Sequence, residues 1–157
     1  MSLPRRTAAV LLLALAGACR TTVDFESPRP RLVASSAALP VTLSNELRRL
    51  RVKSSEAGTK SAYRVGNLLL PLFPARDGQN FLNLVEAELH QQRAFDTWQV
   101  DFRLVVALQR QGATETLTAS ATASSPVGAI EAGRSAIESC VEDVYTAVSA
   151  RLAAPRR

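Results

Sequence analysis

Three groups of residues in this chain are of types that do chemistry. His90 is the only histidine, and Glu86 stands four positions before it. On a helix that spacing puts a carboxylate and an imidazole on one face, as an acid–base pair or as two metal ligands. A metal site needs a third and usually a fourth ligand, and no second histidine exists to supply one. The plainer reading is a polar pair at the solvent edge of a helix. Cys140 falls beside Ile137, Val141 and Val144 on an apolar helical stripe, where a small buried hydrophobe is the default and an interchain disulfide or reactive thiol the alternative. Arg48, Arg49, Arg51 and Lys53 form the densest basic run. In a strand, Arg49, Arg51 and Lys53 share one face and Leu50 and Val52 the other. That face suits lipid phosphate or an acidic partner, or it guards a solvated edge strand against aggregation.

Other segments are weaker candidates. Leu68 to Phe73 (LLLPLF) is either a buried strand or an exposed lip for a partner or an acyl chain. Trp98 is a core residue or an interface anchor. Asp77-Gly78-Gln79 reads as a helix start rather than an anion site. The chain has no nucleophile elbow, Walker loop, Rossmann fingerprint or HExxH motif, so no catalytic, cofactor-binding or metal-binding residue is assigned.

The N-terminus is the most specific part of the sequence. Arg5 and Arg6 precede an apolar run from Thr7 to Ala16, and Leu15-Ala16-Gly17-Ala18-Cys19 follows. This is the layout of a secretory signal, and its apolar run is too short for a mature transmembrane helix of about 20 residues. Ala16-Gly17-Ala18 satisfies the rule for ordinary signal cleavage. With Cys19 the same residues resemble the bacterial lipobox, with Ala16 where leucine is usual. The resemblance implies removal of residues 1–18 and a diacylglycerol and an acyl chain on Cys19, enough for stable anchoring without a protein span. Arg20 after the cysteine, rather than aspartate, resembles the default signal for the outer membrane. The expected location is the periplasmic face of a bacterial envelope, lipid-anchored, in the outer membrane rather than the inner.

Composition bounds the remainder. The 157 residues are 46% hydrophobic and 21% charged, with Phe 5, Tyr 2 and Trp 1, which fits one folded domain. The formal charge is +5 from 19 basic and 14 acidic residues, and loss of Arg5 and Arg6 lowers it to +3. The charge is dispersed and only Lys53 and Lys60 are lysine, so no nucleic-acid partner is expected. Residues 20–40 hold Pro28, Pro30 and Pro40 among Ser, Thr, Arg and Ala and read as a flexible tether about 25 Å in mean reach.

The elements that must position these residues follow. Val41 to Leu43 and Leu50 to Lys53 read as short strands, or Ser44 caps a helical turn. Residues 54–61 are a loop or hairpin connection, and Tyr63 to Leu70 a strand ending at Pro71. Asp77 is a plausible cap for a helix over 78–93, with Phe81, Leu82, Val85 and Leu89 on one face. From Trp98 to Leu108 apolar residues alternate with polar ones, the period of a half-buried antiparallel strand. Gly112 makes the turn, and the return strand sets Leu117, Ala119, Ala121 and Ala123 against a face of hydroxyls. Pro126 then stands near the start of a final helix capped by Ser124 or Ser125. In it Ile130, Ile137, Val141, Val144, Val148 and Leu152 recur at helical spacing. The expected domain is residues 41–153, with 154–157 a frayed tail. Its class is α+β: an antiparallel sheet with a long β-hairpin and two helices on one face.

Cys19 with this order of elements resembles small Gram-negative envelope lipoproteins. Among them are the YajG-like family, the LptE-like lipopolysaccharide-assembly lipoproteins and the auxiliary lipoproteins of ABC-type transport systems. The resemblance spans roughly residues 63–153 by pattern. It implies a non-catalytic, lipid-anchored accessory subunit of an envelope assembly or transport complex. The alternatives are a stand-alone lipoprotein that binds lipid or glycolipid, and a periplasmic enzyme using Glu86 and His90. No cofactor is expected, and the partners would be the membrane itself and an envelope protein complex.

Overall fold

The computed structural model describes residues 21–24, 36–54 and 61–154. The expected signal segment, Cys19, much of the 20–40 segment, the 55–60 connection and the 155–157 tail lie outside the described residues. The fold is α+β and is built around one long meander. β6 (Thr97–Arg110) is central, β7 (Ala113–Ser125) returns beside it, and β5 (Asn80–Ala94) flanks it on the other side. Val100, Phe102, Leu104, Val106 and Leu108 of β6 are buried on one face, as their alternation requires. The two hairpin turns are tight. Gln111 and Gly112 both take positive φ (51° and 84°), the twist that a two-residue turn needs to follow right-handed strands.

The C-terminal helix, α3 (Ala129–Ala153), lies on that buried face and buries Ile137, Cys140, Val141, Val144 and Val148. Ala119, Ala121 and Ala123 of β7 lie under it with side chains short enough for close approach. Its N-cap is Gly128, and neither Ser124 nor Ser125 caps it. The Ser125 hydroxyl instead accepts from the Val127 amide at 3.1 Å, closing the turn before the helix.

β5 corrects the helix expected over 78–93. Asn80 to Ala94 pairs with β6 along its length, and the register shifts between Leu84 and Glu86. A bulge there leaves Val85 pointing to solvent, 58% exposed. Leu82 and Leu84 face inward before the bulge; Ala87, Leu89 and Gln91 face inward after it. One extra residue changes the phase of a period-two pattern, and Phe81, Leu82, Val85 and Leu89 then imitate a helical stripe. Of the two helices expected on the sheet, only α3 is helical.

The preceding segment forms a small second layer. β2 (Thr42–Leu43) adds in parallel to the start of β5, completing the four-stranded order β2-β5-β6-β7. Ser44 caps the short helix α1 (Asn45–Arg48), accepting from the Leu47 amide at 3.3 Å. β3 (Val52–Ser54) and β4 (Ser61–Tyr63) pair antiparallel, and β1 (Thr21–Val23) joins β4 in parallel.

The strand expected from Tyr63 to Leu70 ends at Tyr63, and α2 (Val65–Leu69) follows. Leu68, Leu69, Leu72 and Phe73 are all buried. Pairs four residues apart mark a helical face rather than a pleated one, and this run contains no β-branched residue. The exposed-lip reading of LLLPLF fails on the same burial. Asp77 caps no helix, and Gly78 donates to the Thr42 hydroxyl at 2.9 Å in the loop before β5.

β1 also corrects the start of the expected tether, at Thr21–Val23. Thr21, Thr22 and Val23 sit opposite Ser61, Ala62 and Tyr63. Asp24, just after them, accepts from Arg64 at 3.0 Å and from Asn67 at 2.7 Å. A single residue, Arg20, separates Cys19 from the folded sheet.

Candidate functional site

The basic run divides when folded. Arg48 is structural: its Nε donates to the Leu43 carbonyl at 2.9 Å and a terminal nitrogen donates to the Ala75 carbonyl at 3.0 Å. Arg49 ends α1 and is exposed. Arg51 and Lys53 are exposed as well, while Leu50, Val52 and Ser54 are buried, so the expected alternation holds from Arg49 to Ser54. Three exposed cations, Arg49, Arg51 and Lys53, remain at and just before this edge strand of the four residues singled out. The chemistry left to them is contact with phosphate or carboxylate, or protection of that edge.

Glu86 and His90 are not brought together. Both face away from α3 on β5, but four residues along a strand are about 13 Å apart, not one helical turn. Arg103 takes Glu86 at 2.9 Å and reaches Glu88 at 3.8 Å. His90 sits opposite Asp101, whose carboxylate accepts from the Thr122 hydroxyl at 2.5 Å. Glu88, His90, Asp101, Arg103, Ser120 and Thr122 line a shallow depression of about 250 Å³ on the open face of the sheet, and Glu86 lies outside it. Among the described residues no group of three or more His, Cys, Asp or Glu is arranged to hold a metal ion.

Cys140 is fully buried beneath the sheet, and burial pushes its thiol pKa up to about 12. It is the small core hydrophobe that the stripe predicted. The folded chain holds this proton more tightly than the unfolded chain does. Stability is therefore level below about pH 9 and falls as the pH rises from 9 towards 12. A disulfide-exchange reagent at neutral pH should label Cys140 only as fast as the chain opens, and label it at once in denaturant. Rapid labelling of the folded chain would contradict this placement.

Two surfaces escaped the sequence reading. The first is the outer edge of β7. This strand is 13 residues long, and among the described residues no backbone hydrogen bond joins it to anything but β6. Long natural edges are guarded by lysine, proline, a bulge or a covering segment. Among the described residues β7 has none of these, and its one charge, Glu115, is taken by Arg151 at 2.6 Å. Its open face is a row of hydroxyls: Thr114, Thr116, Thr118, Ser120, Thr122 and Ser124. The missed signal was the absence of any lysine, arginine or proline between Ala113 and Ser125.

The second is the end of the meander at the β5–β6 turn. Phe95 in that turn is 99% exposed and Val127, before α3, is 86% exposed. Trp98 is half-buried beside them, with the Arg93 guanidinium 5.8 Å from its ring centre. Trp98, Val127, Gly128, Ala129, Ile130 and Glu131 line an open, largely apolar cavity of about 370 Å³. The legible signal was an aromatic residue inside a two-residue turn, where Asn, Asp or Gly is usual.

No protein-family model matches the chain, and no curated protein matches it. Among the described residues no helix is long and apolar enough to cross a membrane.

Proposed function

We propose that this chain is a lipid-anchored, non-catalytic binding subunit of a bacterial envelope, held at the periplasmic face through Cys19 and serving an assembly or transport complex as an accessory. The N-terminal layout of Arg5-Arg6, an apolar run and LAGAC supports the anchor, and the resemblance to small envelope lipoproteins supports the setting. The observation that carries the binding role is the β7 edge. Thirteen residues of unguarded strand offer backbone donors and acceptors to an added strand, and the adjoining hydroxyl row offers sequence-tolerant polar contacts.

The test is capture of the tagged chain from crosslinked envelopes, comparing wild type with Thr118→Lys/Ser120→Lys. Both positions are solvent-exposed, so the substitutions leave folding intact within about 0.5 kcal/mol each. They add to the edge the charge that natural edges use to refuse a strand. A near-stoichiometric envelope protein should co-purify with wild type and be lost from the variant. Recovery of the same protein by both would remove β7 from the account. Recovery of extractable lipid or glycan and no protein would favour a stand-alone lipid-binding lipoprotein.

A further inference from the structure

The small sheet gives the anchor a direction. Tyr63 stands at the first turn of α3, where its hydroxyl donates to the Ala129 carbonyl at 3.2 Å. Phe73 lies against Tyr145, ring centres 6.2 Å apart, and Tyr145 is about 24 Å further along the helix axis than Ala129. The chain leaving β4 therefore advances from the N-terminal end of α3 towards its C-terminal end. β1 is parallel to β4, and Arg134 takes the Asp24 carbonyl at 3.3 Å just beyond it. Thr21 thus lies at the N-terminal end of α3. Two residues of chain, which can span at most about 7 Å, connect Thr21 to Cys19.

The same end carries the two most exposed large apolar side chains among the described residues. Phe95 occupies the β5–β6 turn with φ of 56°, a left-handed conformation unfavourable for a bulky residue. Val127 stands in the connection between β7 and α3. The two are joined through Trp98, which pairs with Arg93 across one strand and Ser125 across the other and shares a cavity wall with Val127 and Ile130. Apolar side chains held out in water next to an acyl anchor have one nearby apolar phase. The geometry points to a lipid surface as the occupant of this end. Phe95 and Val127 enter the interfacial layer of the bilayer that holds Cys19, and Trp98 lies at headgroup level.

The charges at this end are mixed. Asp96 and Glu131 are exposed there, as is Arg93, while Lys53 is exposed one row back in β3 and Arg20 lies between Cys19 and Thr21. Insertion of apolar side chains, rather than net charge, must set the orientation. The domain then stands on the membrane on its turn end, with the β7 edge running away from the surface and open to a partner. This orientation rests on the lipid anchor proposed above, and the experiment separates the two.

Trp98 is the only tryptophan and serves as the probe. The full chain, purified from membranes, is reconstituted into phosphatidylethanolamine–phosphatidylglycerol vesicles containing phosphatidylcholine brominated near the top of its acyl chains. Flotation reads the anchor, and loss of Trp98 emission reads the orientation. The expected result is a floating protein with most of its emission quenched. Phe95→Asp/Val127→Asp, at two exposed positions, should still float through its acyl chains and regain most of that emission. Protein that floats with Trp98 unquenched, or a double variant quenched like wild type, overturns the orientation and leaves the anchor standing. Protein that fails to float overturns the anchor and the orientation together.

Discussion

Gly133→Ala should lower the free energy of unfolding by about 3 kcal/mol, measured by urea denaturation. A Cβ on Gly133 would fall within the van der Waals shell of the Tyr63 hydroxyl and 2.5 Å from the ring carbon that bears it. Tyr63 has nowhere to retreat: it is fully buried, and its hydroxyl is bonded to the Ala129 carbonyl. Insertion of one methyl must either drive the ring off its rotamer or lift α3 from the small sheet, and a close-packed interior accommodates neither cheaply. The mechanism is testable by a second substitution. In a Tyr63→Leu background the clash is gone, so Gly133→Ala should cost less than half as much there. Equal costs in the two backgrounds would mean that the ring and the helix do not meet as described.

Phe102→Ala should cost about 3–5 kcal/mol. Phe102 is 1% exposed on β6, flanked by Leu89 of β5 and Ala121 of β7 and covered by α3. Its neighbour on β7 is alanine, as are those above and below it on that strand, so no side chain there is long enough to fill the space left by the ring. The loss therefore includes a cavity as well as transfer free energy. Phe95→Ala is the internal control: the same change of residue at a fully exposed turn should leave stability within about 0.5 kcal/mol. Similar losses at both positions would contradict the assignment of one ring to the core and the other to the surface.

How much of this fold was legible depends on how local its signals are. β6, β7 and α3 could be read directly because each is long, regular and buried on one face, so period two or helical spacing persists for a dozen residues or more. β5 is as long but contains one extra residue at Val85, and a single phase change was enough to make its apolar residues read as helix. β1 is three residues long, and its partner β4 lies 40 positions away in sequence. No local pattern announces such a pairing, so the segment read as tether. LLLPLF was misread for another reason, since an unbroken apolar run has no period and only its burial in pairs reveals α2.

The surfaces were legible to different degrees. The alternation of Arg49, Arg51 and Lys53 with Leu50 and Val52 was readable from sequence and holds in the chain leading into and through β3. The structural role of Arg48 was not, because Ala75, one of its two carbonyl partners, is 27 residues away. Glu86 and His90 depended wholly on the helix that became β5, and the pair dissolved with it. Phe95 and the β7 edge went unread because exposure and an unpaired backbone are properties of the assembled sheet, although their residues were in plain view.

The measurement that bears most directly on the central claim is the intact mass of the protein isolated from the membranes of its expressing cells. Acylation predicts a chain that begins at Cys19 and is heavier than its residues by a diacylglyceryl group and one amide-linked acyl chain, with Cys19→Ser abolishing the addition. A chain of unmodified mass, whether cleaved before Cys19 or retaining its first 18 residues, would contradict the lipid anchor and the function built on it.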